Sequence, residues 1–195
     1  MPRPMPPVRT SSSHPLPIAE VMAGDAGGRI GITFCPGKCG PSLYDYRWER
    51  DLAADLDVIE HWGARAIVTL IEAHEFELLQ VPDLGAQVVA RGMAWHHLPI
   101  PDVQAPDERF ATGWQRSGPA LLDWLIAGQR VLVHCRGGLG RAGTVAAQLL
   151  VELGVTPQDA IQRVRAARPG AIETDEQERY VLTLARPFRE RDEEV

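Results

Sequence analysis

Apolar positions along the chain switch repeatedly between a period near two and a period near three and a half. Arg29–Phe34 (RIGITF) reads as a strand, closed by Cys35-Pro36-Gly37. A polar, turn-rich stretch runs from Lys38 to Trp48. Leu52, Leu56, Ile59 and Trp62 then recur at helical spacing, with Gly63 as a stop. Ala66–Leu70 is a short apolar run that predicts a buried strand. Glu72–Leu79 and Leu84–Arg91 predict short helices parted by Pro82, and Ala94–Leu98 predicts another strand. Phe110, Trp114, Leu121, Leu122 and Leu125 predict one helix or two, with Gly118-Pro119 as the candidate break. Val131–Val133 is a compact β-branched strand, and Arg141–Leu153 a helix whose apolar face carries Val145 and Leu149. Thr156-Pro157 and Thr174 open two further helices, the last reaching to about Arg186. Alternating strands and helices predict an α/β fold, a central, mostly parallel sheet flanked by helices.

Composition narrows the possibilities. The 195 residues are 45% hydrophobic, enough for a core and inconsistent with global disorder. A formal charge of −6 argues against a nucleic-acid binder or a polybasic membrane binder, and no apolar run approaches a membrane span. Basic charge is carried almost wholly by Arg; Lys38 is the single Lys. Residues 1–15 (MPRPMPPVRTSSSHP) lack the apolar region of a signal peptide and read as a disordered Pro/Ser-rich tail. Residues 16–188 read as a single domain and 189–195 as a charged C-terminal end. Cys35, Cys39 and Cys135 are an odd number with no secretory signal, so free thiols in a cytoplasmic, reducing compartment are expected. Cys35 and Cys39 lack the further ligands a zinc site needs, so no metal is expected. Nothing in the pattern assigns an oligomeric state.

The chemistry concentrates at residues 131–144, VLVHCRGGLGRAGT. A buried strand ends at His134-Cys135, a loop with three glycines follows, and a helix begins near Arg141. Glycines at 137, 138 and 140 let several N–H groups face one point, and the helix start adds its unpaired amides. The result is a cradle for an anion, built from Arg136, Gly137, Gly138, Leu139, Gly140 and Arg141. Cys135 lies at its base, in a field that favours thiolate. Arg141, six residues on, can fold over the loop and hold two phosphate oxygens.

HCRGGLGRAGT resembles the signature loop of the cysteine-dependent protein tyrosine phosphatase superfamily, in its small dual-specificity branch. The likeness runs from about Ile32 to Leu184, through ITFCPG, HHLPIPD, HCRGGLGR and the AIET stretch with Gln177, and is strongest to the kinase-associated subgroup. It implies a phosphatase domain acting on a phosphorylated protein through a phosphocysteine intermediate, with Cys135 as nucleophile and no cofactor. A general acid is then required, because expulsion of an alkoxide or phenoxide needs a proton. Asp102, on a Pro-bounded loop, matches the family's acid, and Asp107 is the nearby competitor. The resemblance gives His134 and Gln177 supporting roles, the first beneath the loop and the second near the attacking water. Glu173 stands where some relatives carry a second glutamine, and reads as part of a solvated helix face. Arg136 and Leu139 lean toward a phosphoprotein rather than an inositol lipid, whose phosphatases often carry Lys there. The chain departs from the pattern at Ala142, where most relatives place a hydroxyl that helps the cysteine leave. A slow-turnover module that captures phosphorylated partners is therefore the second reading, and an inositol-lipid phosphatase the third.

Overall fold

The computed structural model of the protein describes residues 6–184. Strands β1 (Val8–Arg9), β2 (Ala19–Met22), β3 (Arg29–Thr33), β4 (Cys39–Pro41) and β5 (Arg47–Glu49) precede helix α1 (Leu52–Trp62). Then follow β6 (Ala64–Thr69), α2 (Ala73–Leu78), α3 (Leu84–Ala90), β7 (Ala94–His97) and α4 (Glu108–Ile126). The chain continues through β8 (Arg130–His134), α5 (Gly140–Glu152), α6 (Pro157–Ala167) and α7 (Asp175–Leu182).

A five-stranded sheet in the order β2-β3-β8-β6-β7 forms the centre. Three of its pairings are parallel, and β2 is antiparallel at the edge. Successive residues of β6 and β8 serve opposite faces, as a pleated strand requires. Ala66, Val68, Val131 and Val133 join a core with α4, α5, α6 and α7, whereas Ile67 and Leu132 join a second core with α1 and α3. Both faces of the sheet are covered, so β8 reads as a continuous apolar run.

Helix ends obey local chemistry. Asp51 caps α1 by accepting from the Ala54 N–H, and Gly63 ends it in the left-handed conformation at φ 88°. Thr156 caps α6 ahead of Pro157, and Thr174 caps α7. The stretch of α7 expected beyond Leu184 lies outside the described residues, as does the charged end at 189–195.

Three expectations are corrected, and one open alternative, a break in α4, is decided. Residues 6–15 are not a loose tail: β1 pairs in parallel with β5, and the Arg50 guanidinium donates to the carbonyl of His14 at 2.8 Å. That Arg50 is itself held by Asp55 through two bonds of 2.8 Å, so the N-terminal segment docks on a buried charge pair. The turn-rich stretch 38–48 contains β4 and the start of β5, which with β1 form a small second sheet of strands too short to show a period. Helix α4 runs unbroken through Pro119; Gly118 lies under the Trp114 indole, where a Cβ would come within 2.8 Å of it. Finally, α5 is buried on every side, with all 13 residues buried, because the sheet lies on one side and α6 and α7 on the other. No helix among the described residues is long and apolar enough to cross a membrane.

Candidate active site

Beyond β8 the chain turns sharply, and Gly138 makes the turn possible. Its φ is 67°, and a Cβ there would stand 2.4 Å from the backbone of Thr33 at the end of β3. Gly140 is needed for a different reason: its missing Cβ leaves room for the side chains of Glu173 and Gln177. Gly137 has open space around it. Each carbonyl from 136 to 140 has a partner outside the loop or along α5. The Arg136 carbonyl accepts from the Cys35 N–H (3.3 Å) and Lys38 Nζ (3.2 Å). The Gly137 and Gly138 carbonyls accept from Arg168 at 3.3 and 3.0 Å. The Leu139 carbonyl accepts from the Ile172 N–H (3.2 Å), and Gly140 from Thr144 Oγ1 (2.8 Å). With the carbonyls held outward, the amides are left to face the hollow, as an anion cradle needs. The Gly138 N–H already donates to Cys135 Sγ at 3.2 Å. No side chain caps α5 at Leu139, so its first amides stay open to a ligand.

Arg141, in the first turn of α5, is 2% exposed and firmly oriented. Nη1 donates to Glu75 Oε2 (2.7 Å) and to the Ile100 carbonyl (3.1 Å), and Nη2 donates to Glu75 Oε1 (2.9 Å). Asp102 Oδ1 lies 3.0 Å from Nη2 as well. The Nε–H and the second Nη2–H are left on the side of the guanidinium away from Glu75. Burial draws the Arg141 charge down, but the Glu75 bond and the charges of Cys135, Glu75 and Asp102 raise it further, so the guanidinium stays protonated. Burial likewise raises Glu75, and Arg141 with the Glu72 N–H outweighs it, leaving the carboxyl below its ordinary value.

Asp102 and Asp107, alternatives in the sequence, stand in different settings. Asp107 caps α4 by accepting from the Phe110 N–H at 2.9 Å. Asp102 lies on the loop after β7 with its side chain 54% exposed, at the mouth of the hollow. The next residue, Val103, has φ 58°, a strained conformation for a β-branched residue, and its N–H donates to Asp102 Oδ1.

His134 lies beneath the loop with no exposure. Trp95 Nε1 donates to Thr69 Oγ1 (2.9 Å), which lies 2.8 Å from His134 Nε2, and His134 Nδ1 lies 3.3 Å from the Cys135 carbonyl. The Cys135 carbonyl can only accept, so the imidazole proton sits on Nδ1, and Nε2 accepts from the Thr69 hydroxyl. Burial pushes the His134 pKa down to about 4, so the ring is neutral. Gln177 is buried with both amide ends engaged: Oε1 accepts from the Glu173 N–H and Nε2 donates to the Gln104 carbonyl on the Asp102 loop. It ties the Asp102 loop to the start of α7 beside Gly140. Glu173 is exposed but lies ahead of the α7 cap, off the helix face expected for it, with a carboxylate oxygen over Gly140. Ala142 is fully buried and has no hydroxyl, and Thr144 spends its own on Gly140.

Sequence reasoning missed Glu75, Lys38 and Arg168. Glu75 sits in a six-residue helix whose pattern is unremarkable. The available signal was indirect: an Arg on a helix buried all round requires a carboxylate from elsewhere.

Comparison with known proteins agrees with this geometry. The family model described as "PTP-SAK: Swiss Army Knife protein, DSP-PTPase phosphatase domain" matches residues 51–181. Cyclin-dependent kinase inhibitor 3 of Rattus norvegicus is 31% identical over 169 residues, covering 85% of this chain and 74% of the relative. Protein tyrosine phosphatase type IVA 3 of Homo sapiens is 40% identical over 75 residues, covering 34% of this chain and 43% of the relative. The crystal structure of kinase-associated phosphatase with serine in place of its catalytic-site cysteine superposes with a TM-score of 0.73 at 27% identity, covering 92% of this chain and 96% of that one. The active form of Tk-PTP gives 0.60 at 30% identity, covering 89% and 98%. From the glycine-dependent turn at 138, the Arg141–Glu75 pair and these matches, the chain belongs to the dual-specificity and protein tyrosine phosphatase family of phosphoric monoester hydrolases.

Proposed function

We propose that the protein dephosphorylates phosphoproteins through a phosphocysteine intermediate. Cys135 Sγ attacks phosphorus in line, and the bond from phosphorus to the leaving oxygen breaks. Asp102 gives that oxygen its proton. The amides of residues 136–141 and the Nε–Nη2 edge of Arg141 hold the equatorial oxygens. An arriving phosphate displaces Asp102 from Nη2, which frees the carboxyl to turn toward the leaving group. Water then attacks phosphorus, Asp102 takes its proton, and the sulfur–phosphorus bond breaks.

The observation that carries this reading is the Gly138 amide on Cys135 Sγ, with the Arg141 guanidinium held rigid beside it by Glu75. Names of the relatives, a kinase inhibitor and tyrosine phosphatases, support a protein substrate bearing phosphotyrosine, with phosphoserine and phosphothreonine as further candidates. A slow second step is the favoured variant of this reading, because residue 142 offers no hydroxyl to the departing sulfur. The test is release of phosphate from para-nitrophenyl phosphate and from phosphopeptides, with Cys135→Ser as control. Turnover by the wild type and none by the control is expected, with phosphate bound to Cys135 after acid quench. Equal release by both proteins would sink the proposal.

A further inference from the structure

Lys38, the single Lys of the chain, is 7% exposed and lies at the back of the phosphate loop. A buried ammonium is costly, so its surroundings should repay the desolvation. They do so in part, in three ways. Nζ donates to the Arg136 carbonyl at 3.2 Å, and stands 4.3 Å from the centre of the Phe34 ring and 4.5 Å from that of Trp48. Its backbone is fixed too. The Lys38 N–H closes a turn on the Cys35 carbonyl, the Lys38 carbonyl accepts from the Arg50 N–H, and the preceding Gly37 N–H donates to Asp55 at 2.8 Å. Gly37, at φ 72°, lets this turn press against Leu52.

Building on Cys135 as the nucleophile, we infer that Lys38 is a positioning residue for the reaction: its ammonium holds the Arg136 carbonyl outward and its charge favours the Cys135 thiolate from behind the loop. The groups facing it are Cys35 on its own turn, Cys135 and Arg136 from the loop after β8, and Arg50, whose charge Asp55 balances. Burial lowers the Lys38 pKa to about 8, while Cys35 and Cys135 pull it back up. Lys38 is therefore charged at neutral pH and loses its charge just above it. Arg168 donates to the next two carbonyls of the loop.

The test reads Cys135 directly, apart from turnover. The folded protein is treated with iodoacetamide at pH 6, and modification at Cys135 is followed by peptide mass spectrometry. Lys38→Gln keeps a donor for the Arg136 carbonyl but removes the charge, and should slow alkylation of Cys135 about tenfold. Lys38→Arg restores the charge and should recover most of the rate. Wild-type alkylation in Lys38→Gln would overturn the inference. Should Lys38→Gln fail to fold, sulfate binding to the wild type and Lys38→Arg decides, since sulfate keeps its charge across the range. Wild-type affinity should fall as pH rises through about 8 while that of Lys38→Arg holds; parallel curves would overturn the inference. Phosphate release equal to that of Cys135→Ser would instead count against Cys135 as nucleophile and leave these readouts standing.

Discussion

The Arg141 guanidinium and the Glu75 carboxylate meet end to end, Nη1 to Oε2 at 2.7 Å and Nη2 to Oε1 at 2.9 Å, although 66 residues separate them. Their side chains are 2% and 3% exposed. Glu75 also accepts from the Glu72 N–H at 2.7 Å, so one carboxylate caps the first turn of α2 and orients the arginine. A long, rotamer-rich side chain thus becomes a fixed fork before any substrate arrives.

Glu75→Ala leaves that guanidinium buried without its carboxylate. Loss of one partner of a buried pair should cost about 3–5 kcal/mol, read as a lower midpoint in urea unfolding. Glu75→Gln preserves shape and one acceptor. It should fold better yet lose about a hundredfold in kcat/KM, the penalty of a misaimed catalytic group. Unchanged kcat/KM in Glu75→Gln would show that Arg141 aims itself.

The two aspartates should separate cleanly. Asp102→Ala should lower kcat about 10²–10⁴-fold on substrates with poor leaving groups, and less on aryl phosphates. Asp107→Ala removes the α4 cap and should cost about 1 kcal/mol of stability with little effect on kcat. The opposite pattern would transfer the acid role to Asp107.

Ala142 predicts a burst. A hydroxyl at 142 would stabilise the departing thiolate by about 1.5–3 kcal/mol, and its absence should slow the second step roughly 10- to 100-fold. Thr144 cannot compensate, since its hydroxyl donates to the Gly140 carbonyl. Rapid quench should reveal a burst of product and a slow steady rate in the wild type, and a faster steady rate in Ala142→Ser. If neither is seen, another group assists the sulfur.

His134 predicts an acid-sensitive fold. Its pKa is about 4 when folded, against an ordinary 6.5, so the unfolded chain binds the proton first. Stability is therefore fully present above about pH 6.5 and declines as pH falls toward 4. The contribution of this one group is about 3 kcal/mol. Chemical unfolding of the wild type and His134→Gln at several pH values isolates it. The difference between the two proteins should shrink across that window, and a constant difference would contradict the assignment.

Local chemistry made much of this protein readable in one dimension. Cys135, Gly138 and Arg141 lie within seven consecutive residues, and a strand–loop–helix needs only its own glycines and its own helix start to form a cradle. Gly63, Thr156 and Thr174 mark helix ends because caps act within three or four residues. Strands β3, β6 and β8 were legible because burial on both faces imposes unbroken apolar runs. What remained hidden was set at a distance. Glu75 reaches Arg141, Lys38 reaches the Arg136 carbonyl and Arg168 reaches Gly137 and Gly138 only after β3, β6 and β8 align in one sheet. Residues 6–15 looked like a tail because Pro and Ser lack a core pattern, yet Arg50 supplies their anchor through a backbone carbonyl that composition does not reveal. The same holds for α5, whose small and polar residues disguise a helix buried on all sides. Short-range bonds leave a trace in neighbouring residues. A charge pair or an outward carbonyl is specified by the packing of distant elements, and only the tertiary structure decides it.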